Sequence, residues 1–90
     1  MLSAKIIVGG IMGKTRVYSK EEINSVMVEK TLIEVMEILK EKGYNPINQI
    51  SGYLMSGDAG YITSYKNARN KIMQFERYEI LEVLIKRYDR

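Results

Sequence analysis

Apolar residues recur at helical spacing through most of the chain. Val28, Leu32, Val35, Met36 and Leu39 follow i, i+4, i+7 steps, which put them on one face of an α-helix. Ser19 ahead of this stripe and Glu22 three residues later make a capping-box signature. Lys40 and Lys42 suit the negative end of a helix, and Gly43 supplies a left-handed residue after it. The pattern predicts a helix over Lys20–Lys42. Asn45 followed by Pro46 reads as a second N-cap and first helical residue. Ile47, Ile50, Tyr53 and Leu54 then line one face until Gly57 stops the helix. Gly52, inside that helix, costs roughly 1 kcal/mol relative to Ala, which predicts the close approach of another backbone, with a functional turn as the alternative. Asp58 is placed to cap a short turn through Tyr61. Over residues 65–88, Ala68, Ile72, Phe75, Tyr78, Leu81, Leu84, Ile85 and Tyr88 recur every three or four positions. That is one long helix, or two joined near Arg77. The expected fold is all-α, a compact domain over residues 19–90 with two long helices and a short helix-turn between them. Residues 1–18 differ in composition and read as a flexible leader.

The leader holds a decoy. "AKIIVGGIMGKTRV" offers a short apolar strand, two glycines and Gly13-Lys14-Thr15, the ingredients of a phosphate-binding loop. That loop reads G-x-x-x-x-G-K-[ST], because its length sets which backbone N–H groups face the phosphates. Counting back from Gly13, the first glycine should stand at position 8, which is Val8. Downstream, no run of β-branched residues ends in the Asp that would hold magnesium. Ninety residues are also too few for several βα units of about 30 residues each. The nucleotide-hydrolase reading fails.

Composition closes further routes. The chain has no cysteine and no histidine. It therefore lacks disulfides, thiolate metal sites, the commonest general base and the commonest zinc ligand. No cofactor or metal is expected. Hydrophobic content of 46% and charged content of 28% are ordinary for a globular protein. No apolar stretch approaches the roughly 20 residues that span a bilayer, so no membrane insertion is expected and the expected location is cytoplasmic. The net charge of +3 is scattered among glutamates rather than gathered on one stripe, which argues against nucleic acid as a partner. The glutamates of the helices sit beside Lys or Arg and read as solvated faces, and the methionines read as core filling.

Two amide-rich helix starts are harder to dismiss. Tyr44, Asn45, Pro46, Asn48 and Gln49 form one; Tyr65, Lys66 and Asn67 with Arg69 and Asn70 form the other. Joined by a Gly-Asp turn, they leave open an alternative: a small helical nucleic-acid binder reading base edges through Asn67, Arg69 and Lys71.

The runs "EKGYNPINQISGYLMSGDAGYI" (41–62), "ARN" (68–70) and "ERYEILEVLIKRY" (76–88) closely resemble the IreB-like family. These are small regulatory phosphoproteins of Gram-positive bacteria. The resemblance covers residues 15–88, and the stretch 43–58 is its most specific part. It implies an all-α homodimer, not an enzyme, with a mobile tail. It also implies a partner, the membrane-anchored Ser/Thr kinase with extracellular PASTA domains, which phosphorylates threonine in that tail. The modified protein then regulates cell-envelope stress responses and resistance to cell-wall antibiotics. Thr15-Arg16-Val17-Tyr18 matches the tail motif, so Thr15 is the expected phosphate acceptor. Tyr44, Asn45, Pro46, Asn48, Gln49, Gly52, Gly57, Asp58, Arg69 and Asn70 form the expected family-motif surface.

This sequence departs from the family at Ala59-Gly60, at Thr63 and Ser64, and in lacking a second tail threonine. Family proteins start just before the tail threonine, which here falls at Met12; Met12 is the expected natural start, and residues 1–11 are expected to be a leader translated from a mis-set start rather than native sequence. A phosphate on Thr15 would lie a few residues from the helix starting at Lys20. It is expected to dock on that positive helix end, by typically 0.3–1 kcal/mol where exposed.

Overall fold

The computed structural model describes the backbone of residues 5–9 and 15–89, and side chains over 17–89. Four α-helices follow a two-stranded antiparallel ribbon: β1 (Lys5–Gly9), β2 (Thr15–Ser19), α1 (Lys20–Lys42), α2 (Pro46–Ser56), α3 (Ala68–Ile72) and α4 (Arg77–Lys86). Two 3-10 turns, Ala59–Tyr61 and Tyr65–Asn67, lie between α2 and α3.

The first two helices have the expected bounds because their end signals are local. Ser19 Oγ accepts the Glu22 N–H at 3.1 Å, and Glu22 Oε1 accepts the Ser19 N–H at 3.0 Å. Two free donors of the first turn are thereby satisfied. At the other end Gly43 takes φ 90°, and Tyr44 N–H and Gly43 N–H donate to the carbonyls of Leu39 and Lys40. This crossed pair is the Schellman arrangement. Asn45 Oδ1 caps α2 by accepting the Asn48 N–H at 3.1 Å, Pro46 opens the helix, and Gly57 at φ 76° closes it.

α1 is the spine. Its buried stripe is Val28, Leu32, Val35, Ile38 and Leu39, with Met36 only partly covered. Ile50 and Tyr53 of α2, Ile62 just after the first 3-10 turn, Ala68 and Ile72 of α3, and Ile80 and Val83 of α4 complete the core. Each fully buried branched side chain contributes about 1.5–3 kcal/mol relative to exposure.

The last segment takes the divided form, with its second helix starting at Arg77. Glu76 is extended (φ −71°, ψ 148°), and its N–H donates to Glu79 Oε1 at 2.9 Å, which restarts the chain as α4. The second oxygen of Glu79 accepts from Asn24 Nδ2 at 2.9 Å and ties that start to α1. The apolar period runs through the break because Ile72 and Ile80 still face the same core.

One expectation needs correction. The close approach at Gly52 is made by a side chain: a Cβ there would lie 2.4 Å from Tyr61 Cδ1. In the ribbon, Ile7 stands opposite Val17 and Gly9 opposite Thr15.

Candidate functional site

The motif residues gather at the two ends of α2 and along the chain that wraps it. Asn45, Pro46 and Asn48 build its N-terminus. Gln49 reaches across, its Oε1 accepting the Thr63 N–H at 3.2 Å, and Thr63 Oγ1 in turn accepts the Tyr65 N–H. Gly52 makes room for the Tyr61 ring. Past Gly57, Asp58 Oδ1 accepts the Gly60 N–H at 2.8 Å and fixes the 3-10 turn. Arg69 Nε donates to two carbonyls of that loop, Ala59 at 3.0 Å and Ile62 at 2.9 Å. Asn70 Nδ2 donates to Asn67 Oδ1 at 2.8 Å. Of the ten motif residues, Tyr44 is the aromatic one left substantially exposed. The expected motif surface is thus largely a set of caps and staples. Asn45, Gln49, Asp58 and Arg69 are engaged with backbone groups of the domain itself, and Asn70 with the Asn67 side chain.

Those contacts bear on the base-reading alternative. Arg69 and Asn67 are committed within the loop, and Lys71 Nζ lies 3.3 Å from Glu34 Oε2 on α1. The side chains chosen to read bases are held by the protein itself.

Residues outside the expected set complete the scaffold. Arg77 Nη1 donates to the Leu54 carbonyl at 3.0 Å, and its guanidinium lies where a Cβ on Gly57 would fall. Glu41 accepts from Tyr65 Oη at 2.7 Å and pairs with Lys66, while Lys42 Nζ sits 4.8 Å from the Tyr65 ring centroid. Hydrogen bonding from Lys66, then from Tyr65, holds the Glu41 carboxyl below its ordinary range. The same carboxylate pushes the Lys66 ammonium and the Tyr65 phenol up. This cluster fastens a loop in which Lys66 and Asn67 are both left-handed, at φ 50° and 64°. Neither residue is glycine; Asn67, of a type that tolerates the left-handed region, is the one local signal of the turn. Glu76 with Glu79 was a legible capping spacing, hidden because Glu is a poor N-cap.

Thr15 opens β2, and its side chain lies outside the described residues, as do Gly13 and Lys14. A phosphate loop would run from its Lys-Thr into a helix; here Thr15 begins a strand, and Gly9 ends one. The helix-dipole expectation also changes. At about 3.3 Å per residue, β2 carries Thr15 roughly 13 Å from Ser19, beyond a Debye length of about 8 Å in physiological salt. The first turn of α1 is also already served by its capping box and carries Glu21 and Glu22.

A groove of mixed polarity runs between α2 and α4, where Leu54, Met73, Phe75, Tyr78 and Leu81 share the lining with Gln74, Glu76 and Arg77. Among the described residues no three His, Cys, Asp or Glu side chains converge as a metal site, and no helix is long and apolar enough to cross a membrane.

The class defined by this arrangement is a small helical domain whose polar motif is scaffold and whose first helix is preceded by a strand that opens at Thr15. The model of the IreB regulatory phosphoprotein family matches residues 13–89. The chain belongs to that family.

Proposed function

We propose that this protein is a phosphorylation-controlled module that regulates by binding rather than by catalysis, with Thr15 as its phosphate acceptor. The supporting observation is the position of Thr15. It is the third residue of the family-matched span and opens an extended strand immediately before the capped start of α1. A protein kinase transfers the γ-phosphoryl group of ATP to a substrate hydroxyl, ADP leaves, and a kinase Asp accepts the hydroxyl proton. In this reading the kinase is the PASTA-domain Ser/Thr kinase and the setting is cytoplasmic control of cell-envelope stress and antibiotic resistance. The product carries about −1.5 to −2 charges on the tail, set against +3 for the whole chain. A mark of that size is read by a basic partner surface, with the helical core left intact.

The module acts as a homodimer. Tyr78, Leu81, Ile85 and Tyr88 form a continuous exposed stripe on and just beyond α4, and Val26 and Ile33 are exposed on α1. Such faces are what self-association covers.

Incubation with a PASTA-type kinase followed by peptide mapping tests the acceptor. Phosphate is expected on Thr15 and absent from Thr15→Ala; equal labelling of the variant would refute the assignment.

A further inference from the structure

A groove of about 700 Å³ lies between the start of α1 and one flank of α4. Its rim carries four carboxylates, Glu21, Glu76, Glu79 and Glu82, against two ammonium groups, Lys20 and Lys86. The chain as a whole has the opposite sign, +3. Ile23 and Met27 add apolar surface to the same lining, and Met27 is 54% exposed. We propose that this groove is a docking surface for the kinase that modifies Thr15, and that it receives a basic, partly apolar segment of that enzyme. The proposal rests on Thr15 being the acceptor.

The length of the tail selects the occupant. Five residue steps separate Thr15 from Lys20, the first residue of α1. At about 3.3–3.6 Å per step they reach at most about 18 Å, whatever their conformation. A folded domain of only about 100 residues already has a radius of gyration of about 13 Å. An enzyme closed around Thr15 is therefore wider than the tether is long. Its surface must lie against the domain near the start of α1, where Lys20 and Glu21 form the edge of the groove.

The charge is arranged to meet a partner there. Glu79, Glu82 and Lys86 recur at i, i+3 and i+7, which puts them on one face of α4. Leu81, Ile85 and Tyr88 of the exposed apolar stripe belong to another. Docking and self-association thus use different faces of α4, with Tyr78 at their border. Two of the carboxylates are engaged within the domain. Glu79 accepts from Asn24 and from the Glu76 N–H, and Glu76 accepts the Glu79 N–H. Glu21 is exposed, and Glu82 is 43% exposed with Lys86 at 3.8 Å, too far for a direct hydrogen bond. These two carry the charge that a basic segment meets. Such attraction speeds encounter and is screened by salt.

The full chain serves as substrate, and initial rates of Thr15 labelling by a PASTA-type kinase are measured against its concentration. Glu21→Gln/Glu82→Gln removes two negative charges from the groove. Glu37→Lys makes the same net change at an exposed position of α1, ten residues beyond Met27 and about 15 Å along the helix. Met27→Lys, outside the buried core, probes the apolar lining independently. Circular dichroism checks that each variant keeps its helices.

The groove double variant is expected to raise KM by roughly threefold or more, the worth of two exposed ion pairs. Its kcat should be unchanged, because the reacting hydroxyl is untouched. Met27→Lys should raise KM in the same way, and Glu37→Lys should match wild type. Added salt should raise KM more for wild type than for the double variant. Wild-type KM in both groove variants, an equal rise in Glu37→Lys, or a fall in kcat alone overturns the docking role and leaves Thr15 as acceptor. Absence of label from Thr15 in every form overturns the acceptor assignment, and the docking role falls with it.

Discussion

Gly52 occupies a helix position where Ala is better by roughly 1 kcal/mol in propensity, yet an added Cβ would lie 2.4, 2.8 and 2.9 Å from three carbons of the Tyr61 ring. One of these is Cγ, so the whole side chain must move. Steric cost of this kind runs to about 1–3 kcal/mol and outweighs the propensity gain. Gly52→Ala is expected to lower the urea midpoint, and Tyr61→Ala in that background to recover part of the loss. Strictly additive effects would contradict the steric account. Glu41 makes a different prediction. Its folded pKa is lowered by Lys66 and then Tyr65, so its contribution is complete above the ordinary value of 4.5 and is lost as pH falls through the lowered folded value. Lys66 is raised, so its share is complete below 10.5 and lost as pH rises through the raised folded value. The melting temperature of Glu41→Gln should fall below wild type at pH 7 and converge with it in acid. Because the pair is exposed, added salt should narrow the gap at pH 7.

Helix α2 depends on residues outside itself. Its N-terminus is capped by the adjacent Asn45, but at its C-terminal turn the Leu54 carbonyl is held by Arg77, 23 residues away. The same guanidinium sits on Gly57, so one side chain joins the end of α2 to the start of α4. Arg77→Ala is expected to cost about 1 kcal/mol, the usual net worth of one such bond. Hydrogen exchange should localise the change to the last turn of α2. Lys should restore less than Arg, since a single ammonium cannot span both the carbonyl and the turn. Unaltered exchange at residues 53–57 in Arg77→Ala would refute this role.

At the level of the molecule, the core covers one side of α4 and leaves the other bare. Tyr78, Ile85 and Tyr88 are 70%, 66% and 86% exposed, and Leu81 is 41% exposed. The groove toward α2 adds Met73 and Phe75 to the same side. A second copy is the proposed cover. Light scattering at tens of micromolar should give twice the mass of one chain, and Leu81→Asp/Ile85→Asp should give one. Helical circular dichroism should be retained, because neither side chain is in the core. A monomeric wild type would end the dimer proposal.

What the sequence determined by itself was everything that depends on neighbours within about one helical turn. Ser19 with Glu22, Gly43, Asn45 with Pro46, Gly57 and Asp58 satisfy backbone groups two to four residues away, so the bounds of α1 and α2 could be read directly. The buried stripe of α1 was equally legible, since helical period alone puts Val28, Leu32, Val35 and Leu39 on one face. The resemblance carried by residues 41–88 led to the family. Tertiary structure decided the rest. Arg69 and Arg77 could be read as surface cations until distant carbonyls were brought to them. Gly52 could be read as a backbone contact until the chain returned with Tyr61. The left-handed pair Lys66–Asn67 is held by Glu41 and Asn70, with no glycine to announce it. The pairing of β1 with β2 was likewise invisible, because a short apolar run does not specify its partner. Local propensity is written in the order of residues, whereas a hydrogen bond across 23 positions exists only once packing has chosen which surfaces meet.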